Sequence, residues 1–113
     1  MARILIAEPY AEVQQLFVHF VSALGHEPIR HDPAIAAVGI DALIIEPAME
    51  GAAELVESQR ATDSELPVVA VSVYPPSALP VRLDWTSFHL KPFSLAVLRE
   101  DLAAHFPAVT AAP

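Results

Sequence analysis

Several residue types that support particular chemistries are missing from this chain of 113 residues. It has no cysteine, which excludes disulfides and thiolate chemistry and leaves only histidines and carboxylates for a zinc site. The five histidines show no metal-ligand spacing, so we expect them on the surface: His19, His26, His31, His89 and His105. No apolar run approaches the ~18 residues that span a bilayer, and the N-terminus lacks the layout of a signal peptide. We therefore expect a cytoplasmic protein with no membrane association.

Positive charge is also scarce. Six Lys and Arg residues oppose 14 Asp and Glu residues, for a formal net charge of −8. Nucleic-acid binding needs clustered cations, whereas the arginines here are scattered and Lys91 is the only lysine. The composition therefore argues against a nucleic-acid partner, and it makes the position of Lys91 informative.

Short apolar runs indicate five strands. Most of them are continuous rather than alternating, which is typical of strands buried on both faces of a parallel sheet. A weakly alternating run, Glu27 to His31, predicts an edge strand. The other predicted strands are Arg3 to Ala7, Asp41 to Glu46, Leu66 to Val73 and Ser87 to Leu90.

Helical periodicity between the strands predicts the connecting elements. The clearest is a helix from Glu12 to Leu24, whose buried stripe would be Val13, Leu16, Phe17, Phe20, Val21 and Leu24. A short helix to about Val38 would begin at Asp32 and Pro33, a helix would run from Ala52 to Ala61, and a last one would carry Leu95, Leu98, Leu102 and Phe106 on one face. Residues 107–113 form a Pro/Ala tail that we expect to be mobile.

Strands that alternate with helical segments predict an α/β fold with a parallel sheet and helices on both faces. In the flavodoxin-like strand order 2-1-3-4-5, the first, third, fourth and fifth strands are neighbours. Each of them is followed or ended by a polar residue: Glu8, Glu46, Ser72 and Lys91. Because ligands bind at the carboxyl ends of such strands, these four side chains predict a common crevice. We assign residues 1–106 to one domain.

This ordered set of segments resembles the receiver domain of two-component response regulators, the CheY-like family, from Arg3 to about Phe106. The matching segments are Ile4 to Glu8, Asp41 to Glu46 with Met49 and Gly51, Pro67 to Ser72, and Phe88 with Lys91-Pro92-Phe93. The resemblance implies a signalling role in a phosphorelay, with a histidine kinase as phosphodonor.

The resemblance also implies roles for individual residues. In this family an aspartate after the third strand accepts the phosphoryl group, and Glu46 stands in its place. A hydroxyl and a lysine contact the phosphoryl oxygens, and Ser72 and Lys91 match them. An aromatic residue in the fifth strand acts as a rotamer switch, and Phe88 matches it.

Two departures fall on the chemistry of that site. The extra methylene of Glu46 moves its carboxylate by roughly 1.3 Å, and misplacements of about 1 Å can cost ~100-fold in rate. Two acids of the family hold Mg²⁺ at the end of the first strand, whereas this chain has Glu8 followed by Pro9, which offers no side-chain oxygen.

These departures favour a stand-alone, degenerate receiver (a pseudo-receiver) that acts as a protein interaction module, without a cofactor or enzymatic activity. The alternative is a response regulator that still accepts phosphate. A flavodoxin-like domain that binds a small ligand is a third class, but no Gly-rich phosphate loop supports it.

Within the crevice we expect a permanent ion pair between Glu46 and Lys91, close to Ser72, that partly imitates a phosphorylated aspartate. We expect Glu8 to be a solvated acid with only a vestigial relation to a metal site. Ser72 would cap backbone groups, and Phe88 would serve core packing.

Between Ser72 and Lys91 lie 18 residues, three of them proline, so the fourth helix should be short or absent, with one or two turns at best from Pro80. Its loss would expose apolar surface around Tyr74 and Trp85, and such patches mark interfaces. The expected partner is a histidine kinase or another signalling protein, or a second copy in a homodimer.

Overall fold

The computed structural model describes residues 1–79, 83–91 and 94–105. Its strands are β1 (Arg3–Ala7), β2 (Glu27–Arg30), β3 (Ala42–Ile45), β4 (Val68–Ser72) and β5 (Ser87–Leu90). Its helices are α1 (Ala11–Ala23), α2 (Ala52–Thr62) and α3 (Leu95–His105). No helix in the described part is long and apolar enough to cross a membrane. The predicted tail, Phe106 and any turn that begins at Pro80 lie outside the described residues.

All five strands form one parallel sheet in the order β2-β1-β3-β4-β5, which confirms the predicted fold. All residues of β3 and β4 are buried, as their continuous apolar sequences predict. Because the strands are parallel, the residues that follow β1, β3, β4 and β5 meet at one edge of the sheet.

The two faces of the sheet carry separate apolar cores. One core joins β-strand residues such as Ile4, Ile44 and Val71 to α1 and α3. The other joins Leu5, Leu43 and further strand residues to α2. The helices therefore cover the sheet on both sides, and the sheet edge between the two cores is left for the polar residues.

The α1 stripe is narrower than its sequence predicts. Phe17, Val21 and Leu24 are buried, but Leu16 is 41% exposed, so its predicted place in the core is wrong. The helix stops where expected, because Gly25 has a φ of 85°, a conformation that costs glycine little. The backbone N–H of His26 then returns to the Val21 carbonyl at 3.2 Å.

The predicted short helix between β2 and β3 does not form. Asp32 makes a tight turn instead: its side chain accepts a hydrogen bond from the Ala34 N–H at 2.9 Å and its carbonyl one from Ile35 at 3.0 Å. The carbonyl of Ala37 is taken by Gln59, and that of Val38 by Arg3. The six residues from Pro33 to Val38 would make less than two helical turns, too few to offset the cost of helix nucleation. The side chains of Asp32, Gln59 and Arg3 hydrogen-bond the backbone of this segment instead.

The connection from β4 to β5 confirms a short fourth helical segment. In its described part, the only helical element is a single 3-10 turn from Pro76 to Ala78. Proline residues supply no N–H and disfavour helix at the preceding position, which explains why the described part of this connection contains no longer helix.

Candidate functional site

Four polar residues converge at the carboxyl edge of the sheet, as predicted. Glu8 follows β1, Glu46 follows β3, Ser72 ends β4 and Lys91 follows β5. Glu8 and Glu46 are each 4% exposed, Ser72 is fully buried, and the Lys91 side chain is 10% exposed. The site is therefore a largely buried cluster of two carboxylates, one ammonium and one hydroxyl.

Lys91 hydrogen-bonds to Glu8, not to Glu46. Its Nζ lies 2.5 Å from Glu8 Oε1 and 3.7 Å from Glu46 Oε1. The second distance is within ion-pair range but too long for a hydrogen bond. The Glu46–Lys91 ion pair expected from the sequence is therefore present, at 3.7 Å, but the ammonium makes its hydrogen bond to Glu8. Glu46 thus shares Lys91 with a second carboxylate, which the sequence analysis did not predict.

The expectation that Glu8 is a solvated acid is wrong. Its side chain is only 1% exposed. One carboxylate oxygen accepts from Lys91, and the other accepts from the Tyr10 backbone N–H at 3.2 Å. The Tyr10 ring lies over the ammonium, with its centroid 5.9 Å from Nζ, at the outer range of a cation–π contact. A buried carboxylate needs such partners, because removal from water is costly.

Glu46 is held through its backbone, and one of its oxygens is unsatisfied. Its N–H donates to the Ala7 carbonyl at 2.9 Å, and its carbonyl accepts from Met49 at 3.1 Å. Among the described residues, its Oε2 is buried with no hydrogen-bond partner. A buried carboxylate oxygen without a donor carries a desolvation cost of roughly 1–3 kcal/mol or more.

Ser72 connects the cluster to the backbone. Its hydroxyl accepts a hydrogen bond from the Tyr74 N–H at 3.2 Å, in agreement with the expected capping role. Its carbonyl accepts from the Lys91 N–H at 2.6 Å. Ser72 therefore fixes the start of the Lys91 side chain through the main chain.

The aromatic residues predicted for a switch and an interface lie in different surroundings. Phe88 is half-buried, and its ring packs at 5.0 Å from that of Trp85. Trp85 is half-buried and packs against the α2-side core, together with Leu83. Tyr74, by contrast, is 51% exposed. Trp85 therefore contributes to packing, whereas Tyr74 presents its ring to solvent.

Sequence reasoning missed a polar network between β5 and α3. The Asp101 Oδ2 atom accepts from the Ser87 hydroxyl at 2.5 Å and pairs with His89 Nε2 at 2.6 Å. The sequence contained an indication of this network. Ser87 and His89 are two residues apart and therefore lie on the same face of β5, and Asp101 is next to the buried Leu102. The expectation that all histidines are surface residues is wrong for two of them. The His89 side chain is only 11% exposed. His26 is buried and accepts a hydrogen bond from the Ala2 N–H at 3.0 Å.

The donor set does not fit the magnesium ion that the family resemblance implies. Magnesium takes six oxygen ligands in near-octahedral geometry, whereas the Lys91 ammonium already occupies the position next to the Glu8 carboxylate. Pro9 is exposed and has no side-chain oxygen to offer. No group of three or more His, Asp or Glu side chains in the described ranges is placed to hold a metal ion.

Comparison with solved structures finds the same fold in response regulators. The response regulator TrrA from Thermotoga maritima, in complex with Mg²⁺-BeF, has a TM-score of 0.74 at 15% identity, with 94% of this chain and 100% of that chain covered. The chemotaxis protein CheY4 from Vibrio cholerae has a TM-score of 0.74 at 19% identity, with coverage of 94% and 99%. NtrX from Brucella abortus, in complex with ATP, has a TM-score of 0.78 at 23% identity, over 92% of this chain and 26% of that chain.

At the level of sequence, no family model and no curated protein matches the chain. The class that the fold defines is nevertheless clear from the strand order and the structural likeness: the chain has the fold of a response regulator receiver domain, of the CheY-like type. Its crevice departs from the pattern implied by the resemblance, with a glutamate, a proline and a bound lysine.

Proposed function

We propose that the chain is a receiver-type signalling module that acts through protein contacts rather than through phosphoryl transfer. The observation that carries this proposal is the closed ion cluster, in which Lys91 Nζ lies 2.5 Å from Glu8 and 3.7 Å from Glu46. All three side chains are at least 90% buried. In this arrangement an internal ammonium supplies the positive charge that opposes the two carboxylates.

The cluster works against phosphoryl transfer for two physical reasons. In-line transfer needs an accessible nucleophile and a cation that neutralises charge on the phosphoryl oxygens. Glu46 is only 4% exposed, and the ammonium that would contact those oxygens is already hydrogen-bonded to Glu8. Acceptance of a phosphoryl group would require the cluster to open first.

One observation favours the alternative function, a phosphate-accepting regulator. Glu46 Oε2 has no hydrogen-bond partner in the described part of the chain, so one oxygen at the end of the central strand is uncommitted. Ser72 and Lys91 end or follow the next two strands. If the cluster opened, these groups would surround the acceptor position.

A phosphorylation assay separates the two functions. The protein is incubated with Mg²⁺ and a small-molecule phosphodonor, and intact mass spectrometry detects added phosphate. We expect no added phosphate on the wild type or on the control variant Glu46→Gln. Phosphate that appears on the wild type and disappears in Glu46→Gln would overturn the proposal in favour of the accepting regulator.

The protein contacts proposed here involve the end of the sheet beside β5. Four apolar residues are about half exposed there: Val73 at 54%, Tyr74 at 51%, Leu90 at 48% and Val97 at 53%. They follow β4, end β5 or lie near the start of α3. Clusters of exposed apolar side chains typically mark interfaces. We therefore assign this surface, the β5-side patch, to a signalling protein such as a histidine kinase or to a second copy of the chain.

A further inference from the structure

A second surface lies on the other side of the molecule, where the predicted helix between β2 and β3 is missing. A groove of about 310 Å³ runs between α2 and the chain that links β2 to β3. One wall consists of His31, Pro33 and residues 35–37, and the other of Glu50, Gly51 and α2 residues such as Leu55. No part of the proposed function uses this groove.

Hydrogen bonds hold both walls of the groove in place. The turn at Asp32 fixes the start of the linking chain. Gln59 on α2 donates to the Ala37 carbonyl at 3.1 Å and ties the two walls together. Arg3 donates to the Val38 carbonyl at 2.6 Å and anchors the end of the linking chain to β1. The groove is therefore largely pre-formed, which lowers the entropic cost of binding a ligand.

The groove offers apolar contact. Ile35 lines it and is 66% exposed, and Leu55, Ala36 and Ala37 add further apolar surface. An exposed isoleucine on a fixed turn provides an anchor for an apolar side chain of a ligand, because its burial would remove apolar area from water.

The rim of the groove is acidic. Glu50 and Glu54 line it, and both are exposed. Within the described ranges, their side chains make no hydrogen bond or ion pair. Five exposed acids lie between residues 50 and 65: Glu50, Glu54, Glu57, Asp63 and Glu65. The one cation in that segment, Arg60, is committed to Asp84 at 2.8 Å and to the Leu66 carbonyl. Within residues 50–65, no cation is therefore left to neutralise Glu50 and Glu54.

We propose that this groove binds a basic, partly apolar peptide segment of a partner protein, with its apolar side chain on Ile35 and its Lys or Arg residues on Glu50 and Glu54. The proposal rests on the proposed function as an interaction module and adds a second binding surface with a defined partner chemistry. A second copy of the chain does not fit, because a two-fold contact would set the same acidic rim against itself.

A peptide selection tests this assignment. Helix α2 has 11 residues, about 16 Å, which about five extended or 11 helical residues cover. A displayed random library of about 12 residues is therefore long enough for either conformation. The full chain serves as the target, and the variant Glu50→Lys/Glu54→Lys serves as the counter-target. The matched control is Glu12→Lys/Glu100→Lys, which changes the same charge at exposed sites outside the groove.

The expected result is enrichment of peptides that combine Lys or Arg with apolar residues. A selected peptide should bind the control variant like the wild type and the counter-target about tenfold or more weakly, with an affinity that falls as salt is added. NMR shifts should map to residues 31–37 and 50–59. Enrichment of acidic or uncharged peptides, shifts at other residues, or no enrichment would overturn the proposal.

The peptide selection and the phosphorylation assay distinguish a failure of the groove proposal from a failure of the proposed function. Loss of the groove proposal would leave the phosphorylation assay and the β5-side patch unaffected. Phosphate on Glu46 would overturn the proposed function, yet peptides that map to residues 31–37 and 50–59 would still establish the groove.

Discussion

At the scale of single residues, Lys91 is the feature with the largest expected effect on stability, because its single ammonium is the ion-pair partner of two buried carboxylates. Its Nζ hydrogen-bonds to Glu8 and lies 3.7 Å from Glu46. An ion pair at this depth contributes little compared with an apolar replacement of the whole group, but the loss of one partner leaves a charge buried and unpaired. Because the loss of Lys91 would leave buried charges unpaired, its removal should cost more stability than the removal of an exposed ion pair, which contributes about 0–1 kcal/mol.

We therefore expect Lys91→Met to lower the free energy of unfolding by about 3–5 kcal/mol, measured by urea denaturation. Arg99→Met is the matched control, since Arg99 is exposed on α3 and should change stability by about 0.5 kcal/mol or less.

The two carboxylates should respond differently in the same assay. Glu8→Gln removes the hydrogen-bonded partner of Lys91 and should destabilise the protein more than Glu46→Gln, which neutralises the unsatisfied oxygen. Equal stability of Lys91→Met and Arg99→Met, or a larger loss in Glu46→Gln than in Glu8→Gln, would contradict the cluster as described.

At the scale of secondary-structure elements, Asp101 links β5 to α3. Its Oδ2 accepts from Ser87 and pairs with His89, at side-chain exposures of 18% for Asp101 and 11% for His89. Among the strands of the described residues, the edge strand β5 is hydrogen-bonded to β4 alone. Side-chain bonds from α3 therefore contribute more to its position than they would for a central strand.

We expect Asp101→Asn to destabilise β5 and α3 by roughly 1–3 kcal/mol, because a neutral amide oxygen at the position of Oδ2 is a weaker acceptor than a carboxylate for both Ser87 and His89. Hydrogen exchange should show faster exchange at amides of these two elements, with less change in β1 and β3. Glu100→Gln, an exposed neighbour on α3, is the control. If Asp101→Asn exchanged like Glu100→Gln, the link between the two elements would be refuted.

At the scale of the whole molecule, substitutions at Trp85 and Tyr74 should have different effects: the first on folding stability, the second on association. The sequence analysis placed both residues in a predicted interface. Trp85 instead packs against the α2-side core and against Phe88, so its truncation should cost roughly 3 kcal/mol of stability.

Tyr74→Ala should behave in the opposite way, since Tyr74 is 51% exposed. We expect an unchanged urea midpoint and weaker self-association or partner binding at the β5-side patch. Sedimentation measures the first form of association, and quantitative pull-down from native cells measures the second. If Tyr74→Ala associates as the wild type does, the patch is not the interface.

The sequence by itself determined the sheet and the edge at which the site lies. Continuous apolar runs such as Leu43 to Ile45 define buried parallel strands, and the order of strands and helices leaves few alternatives for their arrangement. For the same reason the convergence of Glu8, Glu46, Ser72 and Lys91 was predictable. Each of these residues lies at the end of a strand, and the strand ends of a parallel sheet share one edge.

The tertiary structure alone decided which of these residues pair. Lys91 Nζ lies 2.5 Å from Glu8 and 3.7 Å from Glu46, and this difference of 1.2 Å decides which carboxylate receives its hydrogen bond. Periodicity and composition do not encode such a difference. The same holds for the segment after Asp32, where Arg3 and Gln59 from elsewhere in the chain bind the carbonyls of Val38 and Ala37. Local propensity describes a segment by itself, whereas burial and hydrogen bonding between distant residues choose among its near-equal conformations.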